Sequence, residues 1–267
     1  MGLFRDQTYL LQKQYQDAAN LNARIDLHRR FSVNPYGWQR WVFDHFKPGE
    51  ESTLLELGCG PGTLWLSNRE RIPAGWQITL TDFSPGMLEE ARQRLGTEHF
   101  SYTVADAQAL PFADESLDAV IANHMLYHVP DLPQALAEVR RVLKPGGHFY
   151  ASTVGREHLR ELDELLSQAQ LDPHWQRFKQ NASFVLENGQ EQLTPFFQQV
   201  TLHIYEDALE ITEAEPLAAY AFSGTLGQKI GSEKRQRFIT LVEQKLAVHG
   251  AIHITKASGM FEAIKSK

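Results

Sequence analysis

Apolar positions along the chain follow two periods, one typical of buried strands and one typical of amphipathic helices. Five short apolar runs predict strands over 53–57, 76–80, 100–104, 117–122 and 148–153. Helical stripes lie between them, over 86–95 and 132–143, and Ser84-Pro85 is a typical helix start. Strands that alternate with helices predict a parallel sheet with right-handed crossovers. The fold class is therefore α/β and Rossmann-like.

The chain on both sides of this core has different patterns. From Gln7 to about Arg30 the apolar residues recur at a helical period, which predicts a helix that packs on the core or caps a ligand crevice. Beyond Thr153 three helical segments are predicted, and two alternating segments predict the last strands, near 200–205 and at 252–264 with a break at Gly259.

These patterns predict three parts of the chain. Residues 1–47 form an N-terminal helical lid, and residues 48–153 form the ligand-binding core. Residues 154–267 supply a helical insertion and the final strands of the same domain, facing the substrate.

A glycine-dense turn follows the first predicted strand, in the segment TLLELGCGPGT at 53–63. Gly58, Gly60 and Gly62 can take positive φ and let a ligand approach the backbone closely. A dinucleotide fingerprint requires a third glycine at position 63, where this chain has threonine, and no phosphate-binding lysine follows. A ligand with ribose and adenine but without phosphates fits this spacing better than a nicotinamide cofactor does.

Polar residues mark four strand ends: Glu56, Asp82, Asp106 and Asn123. Ligands of open α/β sheets bind at the carboxyl edge, so these residues predict one site. Asp82 can accept both ribose hydroxyls, although an aspartate beside a helix start also stabilises the helix dipole. Asp106 can accept from an adenine amine, and Asn123 can meet a zwitterion.

Composition and charge limit the kinds of molecule that the protein is expected to bind. The net charge is −7 with no basic block, which argues against nucleic acid and anionic membranes as partners. No apolar run reaches 18 residues, and the first residues do not resemble a secretory signal. The single cysteine, Cys59, suits a reducing cytoplasm. As a nucleophile Cys59 would need a base that the turn lacks, so a small buried residue is the simpler interpretation.

Four ordered motifs carry a family resemblance: ELGCGPG, TDFSPGML, ADAQALPFADESLDAVIANHMLYHVPD and RVLKPGG. Over about Ser52 to Thr153 the chain resembles the class I S-adenosylmethionine-dependent methyltransferases, especially those that act on small molecules. The resemblance implies a seven-stranded, mostly parallel sheet with helices on both faces and an antiparallel edge. It also implies S-adenosyl-L-methionine as cofactor, S-adenosyl-L-homocysteine as product, and methyl transfer to a small-molecule acceptor.

By the same motifs the resemblance assigns cofactor contacts. Asp82 would bind the ribose hydroxyls, Phe83 and Met87 would flank adenine, and Asn123 would meet the methionine end. The remaining positions would line the methionine and ribose or read the adenine edge: Glu56, Gly58, Cys59, Gly60, Gly62, Asp106 and Ala107. Phe83 could also be an ordinary packing residue.

The acceptor side is less well determined. Only an acceptor with a proton to lose needs a base, and the candidates after Asn123 are His124, Tyr127 and His128, each of which could instead shape the substrate site. Their spacing gives zinc little support, so no metal is expected. Aromatic and basic residues are further candidates for the acceptor pocket or for a carboxylate contact: Phe31, Tyr36, Trp38, Tyr127, Trp175, Arg24 and Arg30.

A monomer or homodimer is expected. The alternative function is a non-catalytic protein that binds the sulfonium cofactor or its product and acts through a partner, with a filled acceptor cleft.

Overall fold

The computed structural model describes residues 19–171, 182–223 and 230–267, and within these ranges seven strands form one sheet. The strands are β1 Glu51–Leu57, β2 Gly75–Asp82, β3 Phe100–Val104, β4 Leu117–Asn123, β5 Leu143–Val154, β6 Gln198–Ile211 and β7 Ile252–Ile264. Their order across the sheet is β3-β2-β1-β4-β5-β7-β6. The pairs from β3 to β5 are parallel, which confirms the predicted sheet.

Nine helices lie within the described residues: α1 Ala19–Phe31, α2 Trp38–Asp44, α3 Thr63–Leu66, α4 Pro85–Leu95, α5 Leu132–Val142, α6 Arg160–Gln168, α7 Gly189–Leu193, α8 Ala214–Ala221 and α9 Ser232–His249. Short 3-10 turns cover Arg69–Arg71 and Leu126–His128.

Helices cover both faces of the sheet. Leu54 of β1 packs with Leu88 and Ala91 of α4, whereas its neighbour Leu55 packs with Leu136 and Val139 of α5. Successive side chains of a strand point to opposite faces, so β1 must be apolar on both. This requirement is why the strand reads as a nearly continuous apolar run.

The last two strands form the antiparallel edge of the sheet. β7 lies between β5 and β6 and is antiparallel to both. The predicted break at Gly259 is wrong, because this residue pairs with Thr153 on one side and Ile204 on the other. A Cβ at Gly259 would lie 2.6 Å from the backbone oxygen of His203, so glycine permits the close pairing.

Several helix starts differ from the sequence patterns. Ser84 caps α4 as predicted, since its hydroxyl accepts from the Met87 N–H at 3.4 Å. Pro61 is a residue type typical of a first helical position, but it precedes α3 by two residues because the turn continues through Gly62. The segment Thr212-Glu213-Ala214-Glu215 has the sequence of a capping box, but α8 begins after Glu213 with no side-chain cap.

A second apolar core joins α1 to the helices that follow β5. Leu27 and Phe31 pack in the same cluster as Leu162 of α6, Leu217 of α8 and Phe238 of α9. The predicted N-terminal helix therefore packs against chain from beyond residue 154, where it bounds the carboxyl edge of the sheet. The part of that helix before residue 19 lies outside the described residues, and the three-part division of the chain stays a prediction.

Across the described ranges, no helix combines the length and the apolar composition needed to cross a membrane.

Candidate cofactor and acceptor site

A cavity of about 770 Å³ opens at the carboxyl ends of β1, β2 and β4. It is bounded by the turns that follow these strands, by the segment 32–40 and by parts of α1, α8 and β7. Ten of the eleven residues with a predicted cofactor role line it: Glu56, Gly58, Cys59, Gly60, Asp82, Phe83, Met87, Asp106, Ala107 and Asn123.

The three glycines of the turn have different surroundings. All three have positive φ, at +63° for Gly58, +52° for Gly60 and +73° for Gly62. A Cβ at Gly62 would lie 2.5 Å from Leu95 Cδ1, and one at Gly58 would lie 2.9 Å from Met125 Cβ. A Cβ at Gly60 would meet nothing within 4 Å. Gly62 is therefore needed for packing and does not line the cavity, whereas Gly60 leaves open space on the cavity side.

The Asp82 side chain links the turn after β1 to the turn after β2. Its carboxylate accepts from the Gly60 N–H at 3.0 Å and from the Ser84 N–H at 2.8 Å. Burial raises the pKa of Asp82 above its ordinary value, and the backbone donors oppose that rise. The acid is thus fixed in position at the cavity wall, where one carboxylate can accept more than two hydrogen bonds.

Glu56 is buried beneath the turn. Its Oε2 accepts from Trp65 Nε1 at 2.6 Å, and burial raises its pKa to about 8. Neighbouring Asp82 raises the pKa further, while the Trp65 hydrogen bond lowers it. Burial also raises the pKa of the Cys59 thiol, with Glu56 and Asp82 adding to the effect. A neutral thiol beside two acids favours the interpretation of Cys59 as a small buried residue.

The predicted adenine side consists of residues after β2 and β3. Met87 and Ala107 are buried, and Phe83 is half-buried. The Asp106 carboxylate accepts from the backbone N–H of Gln108 at 2.9 Å and from its side-chain amide at 2.9 and 3.0 Å.

Asn123 is held by protein groups on both ends of its amide. Its Oδ1 accepts from Trp38 Nε1 at 3.2 Å and from Ser152 Oγ at 2.6 Å. Its Nδ2 donates to Gln39 Oε1 at 3.3 Å. The predicted contact between Asn123 and the methionine end stays a prediction, and this structure places α2 directly against the amide.

His124 follows in a strained backbone conformation. Its φ is +56°, and its N–H donates to Ser152 Oγ at 3.0 Å. The imidazole lies 4.9 Å from the Trp38 ring and lines the cavity. Burial lowers the pKa of His124 to about 4, and the Lys256 ammonium contributes to the decrease. The ring is therefore neutral at pH 7.

Tyr127 and His128 also line the cavity, with their rings in edge contact at 4.6 Å. The positive φ of His124 lies before the 3-10 turn, so His124 and His128 are not successive positions on one helix face. Within the described ranges, no group of three potential metal ligands is placed to hold an ion.

The cavity is also lined by residues to which the sequence patterns gave no role in the site: His28, Arg40, His158, Tyr220, Lys256 and Ser258. Lys256 is 8% exposed and forms an ion pair with the fully buried Asp207 carboxylate. The same oxygen, Oδ2, also accepts from Ser32 Oγ at 2.5 Å, and Oδ1 accepts from the Asn34 N–H at 3.0 Å. No local sequence signal marks these residues, because strand order brings them to the site.

Among the aromatic and basic candidates, Tyr36 and Trp38 line the cavity, whereas Phe31 belongs to the second core. Arg30 pairs with Glu213 at 2.5 Å, so the carboxylate it meets is one of the protein's own. The side chain of Arg24 and the whole of Trp175 lie outside the description.

The strand order, the glycine turn after β1 and the acids after β2 and β3 define a class I methyltransferase fold. Residues 55–151 match the family model described as a methyltransferase domain. Residues 55–151 therefore form a class I S-adenosylmethionine-dependent methyltransferase domain.

Two curated relatives resemble this part of the chain. A malonyl-[acyl-carrier protein] O-methyltransferase of Erwinia pyrifoliae is 39% identical over 121 residues, covering 45% of this chain and 44% of the relative. A ubiquinone/menaquinone biosynthesis C-methyltransferase of Desulfotalea psychrophila is 39% identical over 110 residues, covering 41% of this chain and 44% of the relative. The matches thus span less than half of each relative's length.

A solved structure shares the fold over the whole chain. Phosphoethanolamine N-methyltransferase 2 of Haemonchus contortus, in complex with S-adenosylhomocysteine, aligns with a TM-score of 0.60 at 20% identity. The alignment covers 100% of this chain and 61% of that structure.

Proposed function

We propose that the protein transfers the methyl group of S-adenosylmethionine to a small-molecule acceptor bound in the same cavity. The observation that supports this most directly is that the cavity extends beyond the residues assigned to the cofactor, to Tyr36, Trp38 and Tyr127. A protein that only bound the cofactor would not need that space, and none of the comparisons supports such a protein.

The residues at the sheet edge fit the cofactor. Gly60 leaves room where a side chain would obstruct the ligand, and Asp82 is fixed at the wall by two backbone donors. In this proposal Asp82 accepts from the ribose hydroxyls, Phe83 and Met87 lie against adenine, and Asp106 accepts from its amine. When bound, the cofactor supplies an electrophilic methyl group on a sulfonium with a good leaving group.

The protein's own contribution is orientation and exclusion of water. Trp38 is held by Asn123 and Trp41, with the two indole rings stacked 5.2 Å apart. His124 offers a neutral imidazole for an acceptor that must lose a proton, and it has no such task for a carboxylate acceptor. By their names, the relatives above are a malonyl-[acyl-carrier protein] O-methyltransferase and a C-methyltransferase of ubiquinone/menaquinone biosynthesis, so oxygen and carbon acceptors both belong in the screen.

Calorimetric titration with S-adenosylhomocysteine and with NAD tests the cofactor assignment. We expect micromolar binding of the thioether and no binding of NAD. Asp82→Ala should weaken thioether binding by more than about tenfold, since a hydrogen bond to a charged acceptor contributes ~1.5–3 kcal/mol. Tyr102→Phe is a suitable control, because its hydroxyl bonds to Gly96 outside the cavity. Binding of NAD without the thioether, or unchanged affinity in Asp82→Ala, would reject the respective assignment.

The acceptor requires a separate experiment. Incubation of the purified protein with methyl-labelled cofactor and a metabolite extract, followed by chromatography, should yield one or more labelled products. The catalytic proposal fails if the thioether binds but no label leaves the cofactor in extracts that contain carboxylate, phenol, amine and thiol acceptors.

A further inference from the structure

Charged side chains of opposite sign come from different parts of the sheet to the cavity wall. Of the described residues that line the cavity, the acids are Glu56, Asp82 and Asp106, in or just after β1, β2 and β3. Lys256, which also lines it, belongs to β7, and β4 and β5 separate that strand from β1. The acids occupy the part of the wall assigned to the cofactor, so Lys256 lies toward the part left for the acceptor.

An ion pair behind the wall fixes the Lys256 ammonium. Lys256 is 8% exposed, and the Asp207 carboxylate to which it donates is fully buried. Ser32 Oγ and the Asn34 N–H donate to the same carboxylate, so Asp207 is satisfied by three protein donors. An ammonium has three N–H donors. Lys256 can therefore serve Asp207 and a ligand in the cavity at the same time.

The charge of Lys256 acts at the predicted reacting end of the cavity. Burial lowers the pKa of His124 to about 4, and the Lys256 ammonium contributes to the decrease. His124 lines the cavity directly after Asn123. A cation that disfavours a positive imidazole favours a negative group in the same space. The cavity between Lys256 and His124 thus suits an anion.

Aromatic rings extend from one of these residues to the other. The Trp38 ring lies 4.9 Å from the His124 ring and 5.4 Å from the Tyr205 ring. The Lys256 ammonium lies 5.6 Å from the centre of the Tyr205 ring. Trp38 and Leu159 both line the cavity and offer it apolar surface. An acceptor with an aromatic or apolar body can pack there while a negative group reaches Lys256.

We infer that the methyl acceptor is a small organic acid and that Lys256 binds its carboxylate. This inference rests on the proposed function. A single ammonium that already pairs with Asp207 balances a singly charged group better than a doubly charged phosphate. Lys256 is then a residue that determines acceptor specificity, and Asp207 is a positioning residue that acts through it.

Fractionation of the acceptor tests its charge. A protein-free metabolite extract is passed over a quaternary-ammonium resin at pH 7, and the flow-through and the salt eluate are each incubated with the wild type and methyl-labelled S-adenosylmethionine. Label transfer should require the eluate, and treatment of the eluate with alkaline phosphatase should leave that transfer unchanged.

A double variant tests the role of Lys256. Lys256→Gln combined with Asp207→Asn replaces the ion pair by two amides, so no buried charge is left unpaired. The amount of eluate that gives half the maximal rate should rise by about tenfold or more, since a hydrogen bond between charged groups is lost. Binding of S-adenosylhomocysteine should stay within twofold of the wild type. Lys144→Gln combined with Asp118→Asn removes a partly exposed ion pair and is the matched control, which should leave both quantities unchanged.

Four outcomes would overturn the inference. Acceptor activity could pass through the resin, or phosphatase could abolish it. The Lys256 double variant could need no more than threefold more eluate than the wild type, or the control could reproduce its effect. The fractionation uses the wild type, so it decides the charge of the acceptor whether or not the variant folds. If the whole extract takes up no label, the proposed function itself fails, which differs from all four outcomes.

Discussion

At the scale of single residues, the site contains two buried carboxyl groups with different partners. Asp82 receives two backbone N–H groups, whereas Glu56 receives one indole N–H and has a pKa of about 8. Protonated Glu56 adds no charge next to Asp82 at pH 7. This arrangement leaves Asp82 with two backbone donors and a neutral neighbour, which suits an acid that accepts from ribose hydroxyls.

His124 provides a residue-scale prediction about pH. Because burial and Lys256 lower its pKa to about 4, the imidazole should remain neutral from pH 8 down to about pH 5. The unfolded imidazole takes up its proton near 6.5 and the folded one only near 4, so the folded state should lose stability as the pH falls between these two values. Proton–carbon correlation spectra recorded across this range should show a His124 resonance that does not shift.

His124→Asn identifies the resonance, and it should leave the other histidine signals in place. A midpoint at or above pH 6 would contradict the lowered pKa of this imidazole.

At the scale of elements, two glycines of the turn between β1 and α3 have different tasks: Gly62 permits packing, and Gly60 leaves space for a ligand. Gly62→Ala should destabilise the fold by about 2–4 kcal/mol, because it combines a positive φ with a clash against Leu95. Gly60→Ala should cost only about 1 kcal/mol, since its new methyl group meets no protein atom. That methyl group enters the cavity, so it should weaken S-adenosylhomocysteine binding by about tenfold.

Urea unfolding and calorimetry on the same two variants test the distinction. Equal losses of stability, or a larger binding defect in Gly62→Ala than in Gly60→Ala, would show that the two glycines do not have separate tasks.

The same elements show which features sequence can predict. The ends of β1, β2, β3 and β4 were predictable because each strand and its polar terminal residue are adjacent in the chain. Lys256 and Tyr220 reach the cavity only through the order of β5, β7 and the helices packed on α1, which no local pattern specifies. The sequence did not predict the uninterrupted pairing at Gly259 for a related reason. This glycine is required by close pairing with the strands on both sides and does not mark a turn.

At the scale of the whole molecule, Glu262 joins the N-terminal segment to the antiparallel edge of the sheet. Its side chain is 5% exposed, and its carboxylate accepts from Lys47 Nζ at 2.7 and 2.9 Å. His148 of β5 lies 3.0 Å from it and His203 of β6 lies 3.4 Å from it. Lys47 follows α2 closely, so this cluster helps to hold the helix that carries Trp38, Gln39 and Arg40 over the site.

Glu262→Gln should therefore reduce the free energy of unfolding at pH 7 by about 2 kcal/mol, because it removes a buried charge that several donors satisfy. Burial raises the pKa of Glu262, but Lys47 and the two histidines outweigh it and the net pKa is lowered. A lowered pKa means that the stabilisation is present above the unfolded value near 4.5 and is lost as the pH falls through the folded value. The stability difference between the wild type and Glu262→Gln should accordingly shrink below about pH 4.5 in urea titrations.

Lys144→Gln is the matched control: it breaks an ion pair with Asp118 in which both side chains are partly exposed, so it should cost less than about 1 kcal/mol. If both variants lose the same stability, or if the Glu262→Gln difference persists unchanged in acid, the carboxylate does not fasten this segment to the sheet through its charge.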